Sequence, residues 1–352
     1  MESSVLQQDI AKLIESFPFV EEFKGKTFIV TGATGLIGSI VVKTLLALNK
    51  CFHLSLRVVA VIRNDQKAKE VLGKEIDGLV FWKYDFSSGK PFDCISADYL
   101  IHLAAPTASR FFVEHPAETM NIVYDGTRSV LDFAKENHLS SVVYVSSLEA
   151  FGVVENDDTP LTESMQGYIN PTDVRSSYPM AKRTSECLCH AYAEEFSLPV
   201  KVARLAQTFG AGVSKDDMRV FAQFARCIIN GKNIELNTAG MLSRCYCYTT
   251  DAVMALFYIL VKGQPGGIYN VANPTTYISI KDMAQKLCDD FAPSLQLVFH
   301  IKEGQGYSPT THIKMSTERL EALGWRPRYS LRQMFERLIA SLKEKQGGDR
   351  LC

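Results

Sequence analysis

Residues 27–46 read TFIVTGATGLIGSIVVKTLL and contain the pattern that decides the fold. The apolar residues 28–30 predict a buried strand, and Gly32, Gly35 and Gly38 follow it directly before a helical pattern. Glycine allows positive φ and close backbone approach, and a helix N-terminus favours a pyrophosphate. A second apolar run, residues 58–62, lies at βαβ distance. Such glycines can form a mere turn, but this context predicts a dinucleotide site.

Further apolar runs without polar alternation predict more strands, separated by helical segments. They are residues 58–62, 80–84, 98–103, 142–146 and 200–205. Strands of this kind are typical of a parallel sheet covered on both faces, so the sequence predicts a doubly wound α/β (Rossmann) fold. Apolar residues at helical spacing predict an amphipathic helix at residues 5–16, and the run at residues 252–261 predicts a buried helix.

The alternation of strands and helices stops after residue 204, which predicts a second and smaller lobe of mixed α/β structure. Asn273 and Pro274 predict a loop within this lobe. The expected division is a dinucleotide-binding domain of residues 1–206 and 246–270, a substrate lobe of residues 207–245 and 271–345, and a loose tail of residues 346–352.

The composition excludes several classes of partner. The chain has 352 residues, of which 46% are hydrophobic and 22% charged, and its formal net charge is −1. This composition is that of a globular protein without a basic field, so we expect neither nucleic acid nor a membrane as a partner. Glu2 and Asp9 do not fit a secretory signal, and the longest apolar run is far shorter than the ~20 residues of a membrane helix. We therefore expect a cytoplasmic protein.

The nine cysteines include no C-x-x-C pair. Cys187 and Cys189, like Cys245 and Cys247, are spaced i, i+2, which does not match a zinc pattern. We expect no metal site and reduced, mostly buried thiols, as in a reducing cytosol.

Tyr178 and Lys182 form the candidate catalytic pair. Their i, i+4 spacing in YPMAK places a phenol and an ammonium on one helix face. The phenol has an unperturbed pKa of about 10, but a cation ~4 Å away at an effective dielectric of ~20 contributes ~4 kcal/mol, or about three pK units. Lys182 is therefore expected to lower the pKa of Tyr178 and to make it a base. Chance produces such pairs on helices too, but the glycine turn in the same sheet favours the catalytic interpretation.

TGATGLIG and YPMAK together resemble the extended short-chain dehydrogenase/reductase superfamily, over about residues 26–335. The superfamily carries Ser or Thr five residues before the glycine of a V-Y-G-like ending. Before Gly152 this position is Ser147, with Ser146 as the fallback. The resemblance implies that the Ser147 hydroxyl hydrogen-bonds the sugar oxygen that is oxidised.

The resemblance also implies the cofactor, NAD, with NADP left open. After the second strand, Arg63 favours NADP and Asp65 favours NAD. Asp85 resembles the aspartate that ends a strand near the adenine, and a loop cap is its alternative role. The asparagine that is usual three residues before Gly126 is Val123 here. The implied cofactor contacts are Gly32, Thr34, Gly35, Leu36, Ile37, Gly38, Arg63, Asp85, Phe86, Leu103, Ala104, Ala105, Tyr178 and Lys182.

Glu149 is the most discriminating position for the reaction. UDP-glucuronate decarboxylases of this group read T-S-E-V-Y-G and 4,6-dehydratases read T-D-E-V-Y-G, whereas epimerases carry a small or apolar residue in place of the Glu. This chain reads SSLEAFG, so it retains the Glu and has Leu148 where dehydratases have their proton-donating aspartate. Glu149 is therefore implied as a catalytic and substrate-binding residue, and a solvated loop charge is the alternative interpretation.

Flanking segments extend the resemblance to the decarboxylases. YINP followed by Arg175 resembles V-N-P…P-R-x-x-Y, and ARLAQTFG resembles A-R-I-F-N-T-F-G with Gln207 in place of an asparagine. The arginine-containing run that usually precedes LGWRPRYSL is GYSPT here, at residues 306–310. Arginine suits phosphate or carboxylate ligands. The implied substrate contacts are Pro106, Ser147, Glu149, Arg175, Gln207, Arg219 and Arg244.

The sequence thus predicts an NAD-dependent enzyme that modifies a nucleotide sugar through a 4-keto intermediate, nearest to UDP-glucuronate decarboxylase. The alternatives are a 4,6-dehydratase or 4-epimerase, an NADPH-dependent carbonyl reductase, and a non-catalytic NAD(P)-binding regulator. Apolar faces on the predicted helices at residues 117–135 and 180–196 suggest a homodimer through a helix bundle, although core packing would give the same pattern.

Overall fold

The computed structural model describes residues 3–74, 76–301 and 310–348, with backbone only for residues 346–348. The strands are β1 (Thr27–Thr31), β2 (Arg57–Ile62), β3 (Leu79–Lys83), β4 (Tyr99–His102), β5 (Ser141–Ser147), β6 (Val200–Leu205), β7 (Gln207–Phe209), β8 (Ile234–Leu236), β9 (Ser243–Tyr248), β10 (Ile268–Val271), β11 (Asn273–Ser279), β12 (Leu297–Phe299) and β13 (His312–Ile313). The α-helices are α1 (Ser4–Glu15), α2 (Val20–Phe23), α3 (Leu36–Phe52), α4 (Asp65–Leu72), α5 (Ser109–Glu114), α6 (Pro116–Glu136), α7 (Ser177–Phe196), α8 (Val220–Ile229), α9 (Thr249–Lys262), α10 (Ile280–Phe291), α11 (Glu318–Ala322) and α12 (Leu331–Gly348).

A seven-stranded parallel sheet forms the centre of the molecule, in the order β10-β6-β5-β4-β1-β2-β3. The inner strands are buried along nearly their whole length because helices cover both faces. The predicted Rossmann fold is confirmed, and each predicted strand is present with ends shifted by no more than a residue or two. The sequence did not identify β10, whose four residues IYNV are too few to stand out.

The strand order reverses between β1 and β4, because the chain first runs outward through β2 and β3 and then returns to the other side of β1. In doubly wound sheets, ligands bind at such a switch point, beyond the carboxyl ends of the strands. The elements that meet there are the turn before α3, the segment after β4 and the end of β5. Together with the first turn of α3, these three segments carry more than half of the predicted site residues.

Two smaller sheets form beside the main one. One has the order β11-β9-β13, with β7 also paired to β9, and the other joins β8 to β12. The predicted loop at Asn273 and Pro274 is wrong, because both residues lie in β11. Pro274 is tolerated there because β11 pairs on one side only and its register shifts after Asn273. β9 starts at Ser243, so the expected domain boundary at residue 246 falls within this strand.

The last helix extends further than the sequence predicted. α12 continues to Gly348, so residues 346–348 do not belong to a loose tail, and residues 349–352 lie outside the described part of the chain. None of the helices that the structure describes combines the length and the apolar character needed to cross a membrane.

A buried carboxylate connects the helix α1 to α12 and β9. Asp9 forms an ion pair with Arg337 of α12, with Nε 2.5 Å from Oδ1, and accepts a hydrogen bond from the Tyr248 hydroxyl at 2.6 Å. Burial raises the pKa of Asp9 although these partners oppose the shift. The predicted amphipathic helix is confirmed, and its polar contact connects the first and last helices described.

Candidate active site

The turn between β1 and α3 brings three backbone segments into close contact. Gly32 has φ +63°, and a Cβ atom there would lie 3.0 Å from both the carbonyl carbon of Leu103 and the nitrogen of Ala104. A Cβ atom on Gly38 would lie 2.3 Å from the carbonyl oxygen of Gly32. α3 starts after Gly35, where no side chain caps the helix, so its first N–H groups are left for a ligand. This backbone cradle fits a pyrophosphate.

Thr31, the last residue of β1, fixes the segment that follows β4. Its hydroxyl oxygen accepts hydrogen bonds from the N–H groups of Leu103 (3.0 Å) and Ala104 (3.1 Å) and lies 2.7 Å from Nδ1 of His102. Burial and the charge of Lys182 lower the pKa of His102 to about 3, so the imidazole is neutral. Because both lone pairs of the Thr31 oxygen are used by the two N–H groups, its hydroxyl donates a hydrogen bond to Nδ1. The predicted contact residues in or next to the turn are all half-buried: Thr34, Leu36, Ile37, Leu103, Ala104, Ala105 and Pro106.

The end of β2 presents an arginine rather than a carboxylate. Arg63 is exposed, and Asn64 is occupied in capping α4 through the N–H group of Lys67. Asp65 forms an exposed ion pair with Lys83, 3.4 Å apart. An arginine here suits an extra phosphate, so the contacts at this position do not exclude NADP.

Asp85 and Phe86 follow β3, and local contacts occupy both side chains. Asp85 accepts hydrogen bonds from the N–H group (3.0 Å) and hydroxyl (2.9 Å) of Ser87. The Phe86 ring packs so closely on α6 that a Cβ atom on Gly126 would lie 3.0 Å from it. The contacts of Asp85 are those of a loop cap, which was the alternative interpretation. A contact of Asp85 with adenine stays a prediction.

One face of α7 carries three residues that contact the end of β5. Tyr178, Lys182 and Glu186 are spaced four residues apart, and all three are buried. The Ser147 hydroxyl hydrogen-bonds the Tyr178 phenol, and Lys182 donates to the Val145 carbonyl oxygen at 2.8 Å. The structure thus brings the predicted serine, tyrosine and lysine together.

The prediction that Lys182 lowers the pKa of Tyr178 is wrong. Burial and the nearby charge of Glu149 raise the pKa of Tyr178 above its usual value. Burial also lowers the pKa of Lys182, to about 7. The amine is directed to the Val145 carbonyl and lies 5.7 Å from the centre of the Tyr178 ring. Desolvation of both groups therefore exceeds their mutual stabilisation.

The adjacent serines at the end of β5 have different partners. Ser146 donates a 2.5 Å hydrogen bond to Glu186, which also forms a buried ion pair with Arg204 at 2.5 Å. Only Ser147 contacts Tyr178, and it also accepts the N–H group of Glu149 at 3.3 Å. The hydrogen bonds therefore favour Ser147 over the fallback Ser146. Glu186 was missed, although its spacing from Lys182 could have indicated it.

Glu149 lies in a half-buried cluster of predicted substrate residues. Burial raises the pKa of its carboxyl group, while the charges of Arg244 and Arg175 oppose this shift. Arg244 donates to the side-chain oxygen of Gln207 at 3.2 Å, and its buried Nε has no hydrogen-bond partner among the described residues. Glu149 is therefore not a solvated loop charge.

Arg219 does not join this cluster in the described contacts. It precedes α8, and Asp217 binds its guanidinium with an Nη2 to Oδ2 distance of 2.6 Å. Residues 306–310 replace the arginine-containing run of the decarboxylases, and all but residue 310 lie outside the described part of the chain. The effect of this replacement on substrate binding stays a prediction.

Arg183 supports the segment that carries Ser147 and Glu149, and no pattern in the sequence indicates this role. Its guanidinium donates to the carbonyl oxygens of Ala150 (2.9 Å), Phe151 (3.0 Å) and Gly167 (3.0 Å). Two of these carbonyls belong to the short helix of residues 148–151, so Arg183 holds that helix against α7 and Gly167 beside it. Since carbonyl contacts do not depend on the identity of the partner residues, no side-chain pattern reveals them.

A parallel sheet with a glycine turn beyond one strand and a Ser, Tyr and Lys at a neighbouring strand end is the architecture of an extended short-chain dehydrogenase/reductase. The chain belongs to the NAD dependent epimerase/dehydratase family, whose model matches residues 28–272. NAD is the cofactor of this family, and the backbone cradle around Gly32 fits its pyrophosphate. The described residues contain no group of three or more His, Cys, Asp or Glu side chains suited to a metal ion.

Two relatives and one solved structure illustrate the range of the family. A UDP-glucuronic acid decarboxylase of Arabidopsis thaliana is 27% identical over 305 residues, which are 87% of this chain and 85% of the relative. The dTDP-D-glucose 4,6-dehydratase of Homo sapiens is 26% identical over 343 residues, covering 91% and 90%. An epimerase structure from Methanothermobacter thermautotrophicus matches with a TM-score of 0.78 at 20% identity, over 95% of this chain and 98% of that chain.

Gly32→Ala is expected to weaken NAD binding at least tenfold, because its Cβ would push against the backbone of Leu103 and Ala104. Gly25→Ala is the matched control, since Gly25 has a similar φ of +70° but nothing lies within 4 Å of its added Cβ. Both variants carry the backbone strain of ~1 kcal/mol, but only the first displaces the turn. Calorimetric titration with NAD measures the difference, and equal affinities of the two variants would contradict the predicted role of the turn.

Lys182→Met is expected to remove a pH dependence of stability. The lysine has a pKa of about 7 in the folded protein and about 10.4 in the unfolded chain. Between these values the unfolded chain binds more protons, so the wild type gains up to ~1.4 kcal/mol of unfolding free energy per pH unit as pH rises. In urea unfolding at pH 7.5, 8.5 and 9.5, the unfolding free energy of the wild type minus that of the variant should increase with pH. A constant difference would show that the amine is not desolvated.

Proposed function

We propose that this protein is an NAD-dependent enzyme that decarboxylates UDP-glucuronate. The observation that carries the proposal is the cluster of Glu149 with Arg175 and Arg244 next to Ser147 and Tyr178. The charges of Arg244 and Arg175 act on Glu149, and guanidinium groups suit the carboxylate of an acidic sugar. The similarity of the chain to the Arabidopsis decarboxylase supports the same interpretation.

The chemistry assigns a separate task to each group. NAD, when bound, supplies the hydride acceptor for C4 and returns the hydride at the end. Tyr178 takes the proton of the 4-hydroxyl, and Ser147 holds that oxygen through its hydroxyl group. The C4 ketone makes the C6 carboxylate a β-keto acid, so breaking the C5–C6 bond releases CO₂ and leaves its electrons in an enolate. A proton then adds to C5.

Glu149 is suited to supply or direct that proton. Its carboxyl group already has a raised pKa, and a substrate carboxylate bound by the same arginines would raise it further by like-charge repulsion. A protonated carboxyl group is a donor, whereas an ionised one is not. The pKa of Tyr178 is raised in the protein alone, so its deprotonation depends on positive charge brought by the ligands.

Dehydration and epimerisation are the principal alternatives within the family, and the human dehydratase covers nearly the whole chain. Leu148, 3% exposed, stands where the dehydratases carry a proton-donating aspartate. An apolar side chain cannot donate a proton, which counts against dehydration. Carbonyl reduction with NADPH is supported only by Arg63. A non-catalytic role is disfavoured by the contact of Ser147 with Tyr178.

Purified protein with NAD and UDP-glucuronate is expected to release CO₂ and UDP-xylose. Glu149→Gln should lower kcat at least 100-fold because it removes an acidic proton from the cluster. Glu195→Gln is the matched control, since Glu195 is exposed near the far end of α7. Absence of turnover, together with conversion of UDP-glucose or dTDP-glucose, would reject the proposal in favour of the alternatives.

We also infer a homodimer that packs α6 and α7 against their copies. Met120 and Cys187 are exposed on these helices although both are apolar. Cys187→Glu is expected to shift the mass in sedimentation equilibrium from twice 39.3 kDa toward 39.3 kDa. Cys51→Glu, at another exposed cysteine, should leave the mass unchanged. An unchanged mass in both variants would place the interface elsewhere, and a monomeric wild type would reject the dimer.

We infer a cytoplasmic location from the state of the thiols. The eight cysteines in the described part of the chain are unpaired, and five of them are buried. Buried free thiols such as Cys245 and Cys247 are typical of a reducing compartment.

A further inference from the structure

The ring of Phe112 lies flat on the ring of Tyr178. Their centroids are 4.3 Å apart and their planes differ by 6°. Both side chains are buried, with 4% and 7% of their surface exposed. A nearly parallel pair at this separation is a stacked contact, so the face of the Phe112 ring covers the ring of the proposed base.

The helix that carries Phe112 is itself attached to the start of α7. Phe112 belongs to α5, which follows the segment of residues 103–106 at the glycine turn. Its carbonyl oxygen accepts a hydrogen bond from the Ser177 hydroxyl at 3.3 Å, one residue before Tyr178. Val123 and Ala181 complete the apolar cluster around the two rings. Backbone and side chain of Phe112 thus both contact the first turn of α7.

The neighbouring phenylalanine of α5 has a different environment. The Phe111 ring packs on His115, with centroids 4.8 Å apart and planes at 34°, and it is less buried than Phe112. The two side chains have the same size and lie on the same short helix. Phe111 is therefore a matched control for any effect that depends on the ring contact with Tyr178.

We infer that Phe112 is a positioning residue that holds the plane of the Tyr178 phenol, so that its hydroxyl group stays directed at Ser147 and at the oxidised sugar oxygen. A phenolic O–H group prefers to lie in the plane of its ring. Fixing that plane therefore fixes the directions in which the oxygen donates and accepts hydrogen bonds. The flat contact also blocks movement of the ring perpendicular to its plane.

The contact has an electrostatic effect that can be measured. The face of a phenyl ring carries partial negative charge and excludes water, and both effects disfavour a phenolate beneath it. Burial is the largest cause of the raised pKa of Tyr178, and Phe112 supplies part of that burial. The other titratable or hydrogen-bonding groups near the phenol in the described part of the chain include Ser147, Glu149, Lys182 and Tyr144.

The first test needs no sugar and follows the ionisation of tyrosines by their absorbance at 295 nm as pH rises. The contribution of Tyr178 is the difference between proteins with and without Tyr178→Phe. This difference is measured for the wild type, Phe112→Leu and Phe111→Leu. In Phe112→Leu we expect Tyr178 to ionise at a pH lower by about half a unit or more, because water gains access to the ring. In Phe111→Leu it should ionise as in the wild type. Phe112→Met serves as a second variant without a ring, since the flexible thioether fills irregular space.

The second test uses turnover and rests on the proposed function. Phe112→Leu should lower kcat about tenfold or more with KM changed less than about twofold, since misdirection of the base affects the chemical step rather than binding. Phe111→Leu should retain both constants. If UDP-glucuronate is not a substrate, the titration alone decides. An unshifted titration in both Phe112 variants, or an equal shift in Phe111→Leu, overturns the inference.

Discussion

The site depends on a close approach of backbone at the carboxyl end of β1. Gly32 lies so close to the peptide between Leu103 and Ala104 that a side chain would push this backbone aside, and the contact of Gly38 with Gly32 leaves no room for a side chain. Thr31 completes the arrangement by accepting the N–H groups of the same two residues. The start of α3 and the segment after β4 are therefore held at a fixed separation. The position of α5, and with it Phe112, follows from that segment.

Desolvation decides the electrostatics of the buried pair on α7. A cation 5.7 Å from the Tyr178 ring centre would contribute ~3 kcal/mol at an effective dielectric of ~20. Removing a phenolate from water costs several kcal/mol, so the phenol stays protonated and the pKa of Lys182 falls toward neutrality. Without ligands, the phenol is therefore uncharged near neutral pH and Lys182 is about half protonated.

The sequence was sufficient where the signal is local. The glycine turn, the apolar strands and the i, i+4 spacing of Tyr178 and Lys182 follow from neighbouring residues, and each is present as predicted. The predicted direction of the pKa shift of Tyr178 was wrong because burial depends on elements distant in the chain, such as α5. Phe112 and Arg183 were missed for the same reason. One acts through a ring contact across 66 positions, and the other acts through backbone carbonyls.

Two adjacent residues at the end of β5 have different functions: Ser146 fixes the strand, and Ser147 contacts the proposed base. Ser146 donates to Glu186, whose ion pair with Arg204 is 1–3% exposed and so adds no net charge near the site. Arg204 in turn packs over the Phe151 ring at 4.4 Å, beneath the segment that carries Glu149. A buried pair of this kind is costly to break because either partner alone would be an unpaired buried charge. The end of β5 is therefore fixed by a pair without net charge, and Glu149, which follows this end, lies within the influence of the charges of Arg244 and Arg175.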